Sequence, residues 1–297
     1  DYPEAGWTWD DFLDIVVAMT EGEGETKQYG YTGEVYELND LLMITERLGA
    51  KLLDQNAEPT AFSFDHPDTV EALRWYANLT TEHDAKPVFV TDITKILGAS
   101  TSYLEREGMI GGGRVAMWPD APGTTAALGD RSELNIGTVS LPARADGDAS
   151  GSFISADTDK RQECWAWITF MSGEPAAAQG LPARKSVANS DAYRQLVGAE
   201  RAEAYLTSLG DADRPTTFQL FSEEEWLGTP IYWYGQAYGH VVAGESSPED
   251  ALDAAQKKAD DYRACVIAAG DFGQETWQAC AKEVDPTLPD FLFGGGF

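Results

Sequence analysis

The stretch Gly112-Gly-Arg-Val-Ala-Met-Trp-Pro-Asp-Ala-Pro-Gly123 places a glycine pair ahead of a short apolar run and a proline-rich loop behind it. This order predicts a buried strand over 115–118 that ends in a rigid loop carrying Trp118 and Asp120. In open α/β sheets, small ligands bind at the carboxyl ends of the strands. A tryptophan beside a carboxylate suits a sugar, because the indole covers the apolar C–H face of a pyranose and the carboxylate accepts hydrogen bonds from its hydroxyl groups. A core tryptophan followed by an ordinary turn is the alternative interpretation.

Composition excludes several function classes. The 297 residues, 43% of them hydrophobic, suffice for two domains with cores. The formal net charge of −29, from 21 basic and 50 acidic residues, repels phosphate backbones and disfavours self-association, so we expect a monomer without a nucleic-acid partner. The sequence has no apolar run of about 18 residues that would span a bilayer. The three histidines are scattered and no Cys-x-x-Cys pair is present, so we expect neither a metal site nor a cofactor.

Two of the three cysteines flank a glycine-containing turn. Cys265 and Cys280 lie on either side of Gly270-Asp-Phe-Gly273. Two helices that fold back at these glycines would bring the sulfur atoms together, which predicts a disulfide and an oxidising, extracytoplasmic setting. Two unrelated thiols on helix faces are the alternative. Cys164 lies in an apolar helical pattern that predicts a buried thiol.

Strand patterns alternate with helix patterns along the chain, which indicates an α/β architecture. The predicted strands are 27–32, 115–118, 134–142 and 152–156, with a short hairpin over 49–64. The principal predicted helices are 9–20, 38–48, 67–79, 157–171 and 249–268.

Several motifs occur in an order that resembles a known family. They include Gly6-Trp-Thr-Trp-Asp-Asp-Phe12, Gly113-Arg-Val-Ala-Met-Trp118, Ile136-Gly-Thr-Val-Ser-Leu-Pro142, Gly151-Ser-Phe-Ile-Ser-Ala-Asp-Thr158, Gly180-Leu-Pro-Ala-Arg-Lys-Ser-Val187 and Ser247-Pro-Glu-Asp-Ala-Leu252. In this order the chain resembles the carbohydrate-type extracellular solute-binding proteins of bacterial ABC importers, of the maltodextrin-binding type.

The resemblance implies a periplasmic-binding-protein-like, type II α/β fold whose two lobes close on a ligand. The first part of the family's N-terminal lobe has no counterpart here, so that lobe is expected to be incomplete. Residues 1–185 are then mainly the C-terminal lobe. Residues 186–235 cross into the N-terminal lobe and back, and residues 236–297 form helices that pack on the C-terminal lobe.

The resemblance also implies a function, which is extracytoplasmic binding of a sugar or oligosaccharide for delivery to ABC transporter permease subunits, on the membrane periphery through a lipid anchor outside this chain. By position, Glu34 and Tyr36 match the family loop that presents an acid and an aromatic residue to the sugar. The family often has a tryptophan where this chain has Gly123, so the stacking surface is expected from Trp118 instead. The chemistry of the residues themselves adds Trp118 and Asp120 on the loop after the predicted strand, together with Ser152, Arg184 and Trp233. Each has a plainer interpretation: a loop acid, a rim tyrosine, a tight turn, a surface ion pair or a core aromatic.

The competing function is that of a glycoside hydrolase, which uses two carboxylates about 5–10 Å apart. Among fifty acidic residues such a pair arises by chance, so its presence would not be informative. The sequence has no Gly-x-Ser-x-Gly elbow and no phosphate-binding glycine loop. We therefore expect a binding protein rather than an enzyme, with the hydrolase as the alternative.

Overall fold

The computed structural model of the chain describes residues 3–4, 6–34, 37–88, 100–119, 136–142, 152–178, 181–208, 217, 220 and 224–289. The chain divides into two units, one formed by Asp1–Phe12 and Pro119–Arg214 and the other by Leu13–Trp118 and Pro215–Phe297. The predicted lobe boundaries at 185 and 235 stay predictions, as does the correspondence between these units and the two lobes.

The larger unit contains two short sheets. Strands β1 (Tyr29–Tyr31) and β4 (Val115–Met117) pair in parallel, with Tyr31 opposite Met117. Strands β2 (Leu53–Asp54) and β3 (Ala61–Phe62) form an antiparallel hairpin. The predicted strands at 27–32 and 115–118 and the predicted hairpin are thus confirmed.

Helices supply most of the larger unit. They are α1 (Trp9–Ala18, which begins in the smaller unit), α2 (Glu37–Arg47), α3 (Pro67–Thr81), α4 (Ser100–Gly111), α9 (Gly228–Val242), α10 (Pro248–Ala269) and α11 (Gln274–Val284). The predicted helices near these positions are confirmed within a few residues. Helices α9 and α10 pack together and against α3, and their shared core contains the large buried side chains of Tyr76, Trp233, Tyr234 and Tyr262.

Helix α10 has clear start and stop signals. The Ser247 hydroxyl accepts a hydrogen bond from the Asp250 amide at 3.1 Å, and Pro248 occupies the first turn. The helix ends at Gly270, whose φ of 68° is favourable for glycine. The chain reverses there and enters α11. The two helices are joined by a disulfide between Cys265 and Cys280, whose Cα atoms are 5.7 Å apart.

The smaller unit contains α5 (Arg161–Met171) and the shorter helices α6 (Lys185–Ala188), α7 (Asp191–Val197) and α8 (Ala199–Ser208). The strands predicted at 134–142 and 152–156 are wrong for the described residues 136–142 and 152–156, which form no strand ladder. A strand needs a hydrogen-bonded neighbour, and none is present for these segments among the described residues. Cys164 is half-buried rather than buried as predicted. It lies on α5, which contains no buried residue.

In the described part of the chain, every helix is too short or too polar to cross a membrane.

Removal of the disulfide should destabilise the larger unit. The sequence separation of 15 residues corresponds to about 3 kcal/mol in the chain-entropy account. The Cys265→Ala/Cys280→Ala double variant is therefore expected to lose about 3 kcal/mol of unfolding free energy in urea. Cys164→Ala is the control and should lose less than about 1 kcal/mol, because that thiol is half-exposed. Equal losses in the two proteins would contradict the prediction.

Candidate functional site

The carboxyl ends of β1 and β4 lie at the same edge of the parallel pair. The Thr32 amide donates to the Met117 carbonyl at 3.0 Å, which extends the pairing one residue beyond β1. Gly33 and Glu34 follow β1, and Trp118 follows β4. The structure therefore brings two of the predicted ligand residues, Glu34 and Trp118, to one edge, and both are half-buried.

The close approach of α1 to β1 fixes the strand that precedes Glu34. A Cβ atom at Gly30 would lie 1.9 Å from the Val16 carbonyl oxygen of α1, so only glycine fits this position. In the chain, α4 leads directly through Gly112 and Gly113 into β4. A close packing contact thus restrains β1, and a short connection restrains β4.

Two contacts hold the Gly33 backbone. The buried Arg106 of α4 donates from Nε to the Gly33 carbonyl at 2.8 Å, and its Nη1 pairs with Glu107 Oε1 at 2.7 Å. A Cβ atom at Gly33 would lie 2.4 Å from Oδ2 of Asp40. A side chain at position 33 would therefore displace the Asp40 carboxylate, and the backbone that leads to Glu34 has little freedom.

A buried polar cluster, formed by Tyr31, Glu37, Asp40, Tyr76, Lys86 and Tyr238, supports this loop. Asp40 accepts hydrogen bonds from the phenols of Tyr31 at 2.8 Å and Tyr76 at 2.6 Å. Glu37 accepts from Tyr76 at 3.0 Å and Tyr238 at 2.9 Å, and it forms an ion pair with the buried Lys86. The cluster therefore contains two carboxylates and one ammonium group, all engaged within the fold.

Burial dominates the electrostatics of the cluster. It raises the pKa of Asp40 above its usual range, although the Tyr76 hydrogen bond and the Lys86 ammonium act in the opposite direction. Burial, reinforced by the Asp40 carboxylate, raises the pKa of both Tyr31 and Tyr76 well above the usual value. Burial and Glu37 do the same to the pKa of Tyr238. The phenols therefore remain neutral donors over the whole ordinary pH range.

Trp233 does not occupy a ligand-accessible position. It is 1% exposed, its indole N–H donates to Asp285 at 3.0 Å, and its ring packs edge-on against Tyr262 at 5.8 Å. The stacking role predicted for Trp233 does not fit this core position. The neighbouring aromatic residues Trp226, Tyr232 and Tyr234 are also buried.

The other predicted ligand residues either belong to the smaller unit or lie outside the described residues. Ser152 and Arg184 are exposed and belong to the smaller unit, where Arg184 Nη2 donates to the Thr169 carbonyl at 3.2 Å. Tyr36 and Asp120 lie outside the described residues. Their assignments as ligand residues stay predictions. No three of the described His, Cys, Asp and Glu side chains lie close enough to hold a metal ion.

Sequence reasoning missed Arg106, Gly33 and Asp40. Asp40 lies in the first turn of α2, where an acid is ordinarily an exposed group that favours the helix dipole. No local pattern indicates that two distant tyrosines cover it. Gly33, which directly follows a predicted strand, is the one residue of the three for which the sequence offers a signal.

Loss of the Arg106 side chain should lower the free energy of unfolding substantially. Arg106→Met would leave the Gly33 carbonyl and Glu107 without their buried donor, so we expect a loss of about 2–4 kcal/mol of unfolding free energy. Arg74→Met is the matched control, since Arg74 pairs with Glu71 and Glu249 near the surface and should lose less than about 1 kcal/mol. Urea unfolding at neutral pH measures both, and similar losses would contradict the proposed support of the loop.

The buried phenols predict instability in alkali. Unfolded tyrosine loses its proton near pH ~10, whereas folded Tyr31, Tyr76 and Tyr238 retain theirs. Their contribution to stability is therefore full below pH ~10 and falls above it, by up to about 1.4 kcal/mol per pH unit for each tyrosine. Absorbance titration beside circular dichroism should show a fraction of the phenols ionising only as the protein unfolds. Complete ionisation near pH ~10 in folded protein would contradict this.

The chain matches no protein-family model and no curated protein sequence. Solved structures do share its fold. The sugar-binding protein MalE of Xanthomonas citri has a TM-score of 0.62 at 19% identity, with 87% of this chain and 64% of that chain covered. A cyclic alpha-maltosyl-1,6-maltose binding protein of Arthrobacter globiformis has a TM-score of 0.55 at 21% identity, with 86% and 63% covered.

A solute-binding protein of an ABC transporter of Agrobacterium radiobacter, solved with ribitol, has a TM-score of 0.56 at 20% identity, with 86% and 64% covered. The chain thus spans less than two thirds of the length of these structures. The predicted fold class is confirmed: the chain shares the type II periplasmic-binding-protein fold of these structures.

Proposed function

We propose that the chain is the larger part of a solute-binding protein that binds a sugar or oligosaccharide without chemical change and delivers it to an ABC transporter permease. The observation that carries the proposal is the joint position of Glu34 and Trp118 at the carboxyl edge of the parallel pair β1–β4. Ligands of α/β folds bind at such edges. The sugar-binding proteins that share the fold support the class of ligand.

The two side chains offer complementary interactions with a sugar. The half-buried indole of Trp118 provides an apolar face for the C–H groups of a pyranose ring. The Glu34 carboxylate accepts hydrogen bonds from hydroxyl groups, and charge-assisted bonds of this kind are stronger than neutral ones. The Arg106 contact to Gly33 keeps the Glu34 backbone in place before the ligand arrives, which reduces the entropy lost on binding.

A catalytic role is disfavoured for Asp40 and Glu37, the two carboxylates of the polar cluster beside this edge. Asp40 is fully buried, and both it and Glu37 already accept hydrogen bonds from tyrosines. A general acid or nucleophile must reach the glycosidic bond, which a carboxylate enclosed in this way does not do. We therefore propose binding without turnover.

The net charge of the chain indicates the charge of its ligand, and the disulfide indicates the compartment in which the protein works. A charge of −29 slows the approach of anions, so the proposed ligand is a neutral sugar. The disulfide between Cys265 and Cys280 suits an oxidising compartment, so we place the protein outside the cytoplasm as a monomer, peripheral to the membrane through a lipid anchor.

The test is the effect of Trp118→Ala on binding by the complete protein, against the first neutral sugar that raises its melting temperature in a panel. Loss of the stacked ring should weaken binding by about 1–3 kcal/mol, or about 5- to 150-fold in Kd. The control is Trp75→Ala, which removes another half-buried indole, on α3, that follows no strand. It should leave Kd within about twofold.

Two outcomes would overturn the proposal. One is an unchanged Kd in Trp118→Ala while the protein remains folded. The other is hydrolysis of an oligosaccharide in the panel, detected as new reducing ends, which would restore the glycoside hydrolase as the function.

A further inference from the structure

The Thr32 hydroxyl, at the carboxyl end of β1, is buried and has no hydrogen-bond partner among the described residues. Thr32 is 0% exposed, and its backbone is paired, because its amide donates to the Met117 carbonyl. A buried hydroxyl gives up its hydrogen bonds to water on folding, and without a replacement this loss is unfavourable. Such groups are few in folded proteins, so this one requires a physical explanation.

Two other fully buried threonines of the same unit have bonded hydroxyls. The Thr45 hydroxyl lies 2.7 Å from the Tyr234 phenol oxygen, and the Thr69 hydroxyl donates to the Ser63 carbonyl at 3.0 Å. Both side chains are as deeply buried as that of Thr32. The unpaired Thr32 hydroxyl is therefore a property of its position at the end of β1, and burial of a threonine in this chain does not by itself produce it.

The pleat of β1 explains why the buried polar cluster does not satisfy this hydroxyl. Successive side chains of a strand point to opposite faces. Tyr31 points into the cluster, where its phenol donates to Asp40 at 2.8 Å. Thr32 therefore belongs to the other face, together with Gly30, which α1 approaches closely at Val16. The tyrosines and carboxylates of the cluster thus lie across the strand from the Thr32 hydroxyl.

Thr32 also lies beside both residues that the structure brings to the candidate site. In the chain it precedes Glu34 by two residues. Across the ladder, its amide bonds the Met117 carbonyl, which belongs to the peptide group that leads into Trp118. A fold that otherwise satisfies its buried polar groups leaves one unsatisfied mainly at a functional site, where the partner comes from outside the chain.

We propose that Thr32 is a further ligand-binding and specificity-determining residue, whose hydroxyl forms a hydrogen bond with one hydroxyl group of the bound sugar. The inference rests on the proposed function. Since Thr32 is fully buried, the contact requires a small displacement of side chains at the edge, and such changes are common on binding. A buried polar group of this kind strongly disfavours an analogue that lacks the matching hydroxyl, because it is then left unpaired.

A permanent internal water is the competing partner, and the surroundings of Thr32 offer it little. A buried water typically makes about three hydrogen bonds. The backbone amides of residues 30–32 all donate within the fold already, to the Thr20 hydroxyl and to the Ala85 and Met117 carbonyls. A sugar brings its own donors and acceptors, so it depends less on these groups.

Stability without sugar separates these two partners. Thr32→Val removes the hydroxyl and keeps the shape of the side chain. Because no partner is lost, the complete protein should melt about 2–4 °C higher. The matched control is Thr45→Val, which removes a bonded hydroxyl and should lower the melting temperature. A lower melting temperature in Thr32→Val would overturn the proposal, since it would reveal a partner that is present without sugar.

Binding of the neutral sugar found in the panel gives the second measurement. Thr32→Val should raise Kd about 3- to 10-fold, the effect of one lost hydrogen bond, whereas Thr32→Ser, which keeps the hydroxyl, and Thr45→Val should leave Kd within about twofold. If Thr32→Val binds as tightly as the unaltered protein while Trp118→Ala binds more weakly, this inference fails and the proposed function stands. An unchanged Kd in both variants means that the proposed function fails, and this inference with it.

Monodeoxy analogues of the same sugar identify the group that Thr32 contacts. The analogue that lacks this group should bind the unaltered protein about 3- to 10-fold more weakly than the sugar does. In Thr32→Val the same analogue should lose no more than about twofold, because the hydrogen bond is already absent there. Losses that are the same in both proteins for every analogue would overturn the proposed contact.

Discussion

The hydrogen bond from the Thr32 amide to the Met117 carbonyl closes a parallel ladder between two strands that are far apart in the sequence. Parallel strands cannot be joined by a tight turn, so this pairing needs a long crossover connection, which here includes α2, α3 and α4. The pairing also depends on Gly30, since any side chain there would collide with the Val16 carbonyl. A single register then decides which residues emerge at the carboxyl edge. A shift of one residue would turn the side chains of β1 to the opposite face.

Only part of the candidate site at this edge could be predicted from the sequence. Trp118 was predictable because a glycine pair, an apolar run and a proline follow one another, and each signal is local. The position of Glu34 beside it came from the resemblance. The buried Asp40 was not predictable, because its burial depends on phenols contributed by β1 and α3, which only the tertiary fold brings together. The same limit applies to Trp233: the aromatic cluster of α9 was visible, but not the partners Asp285 and Tyr262 that hold its ring in the core.

The strand predictions show that β structure cannot be predicted from a local sequence pattern alone. The segments at 29–31 and 115–117 became strands because each is the other's partner, whereas 136–142 and 152–156 have comparable sequences and no described ladder. Strand propensity measures how well a side chain packs on a pleated surface next to neighbouring strands, so a strand-like sequence does not by itself produce a ladder. Helix α5 formed nevertheless, since its hydrogen bonds are internal to the segment. A helix can therefore be present while its large aromatic side chains remain exposed.

The polar cluster under the edge suggests why this site is suited to binding. Burying two carboxylates with one ammonium group is unfavourable unless every lone pair finds a donor, and here the tyrosines supply those donors. Since each phenol packs within the core as well, the carboxylates cannot turn toward a ligand without breaking both hydrogen bonds and packing. Their negative charge is therefore committed to holding α2, α3 and β1 together beneath Gly33. A rigid support of this kind favours an edge that recognises a ligand by shape and hydrogen bonding, whereas acid–base chemistry would require one of the carboxylates to exchange a proton with the substrate.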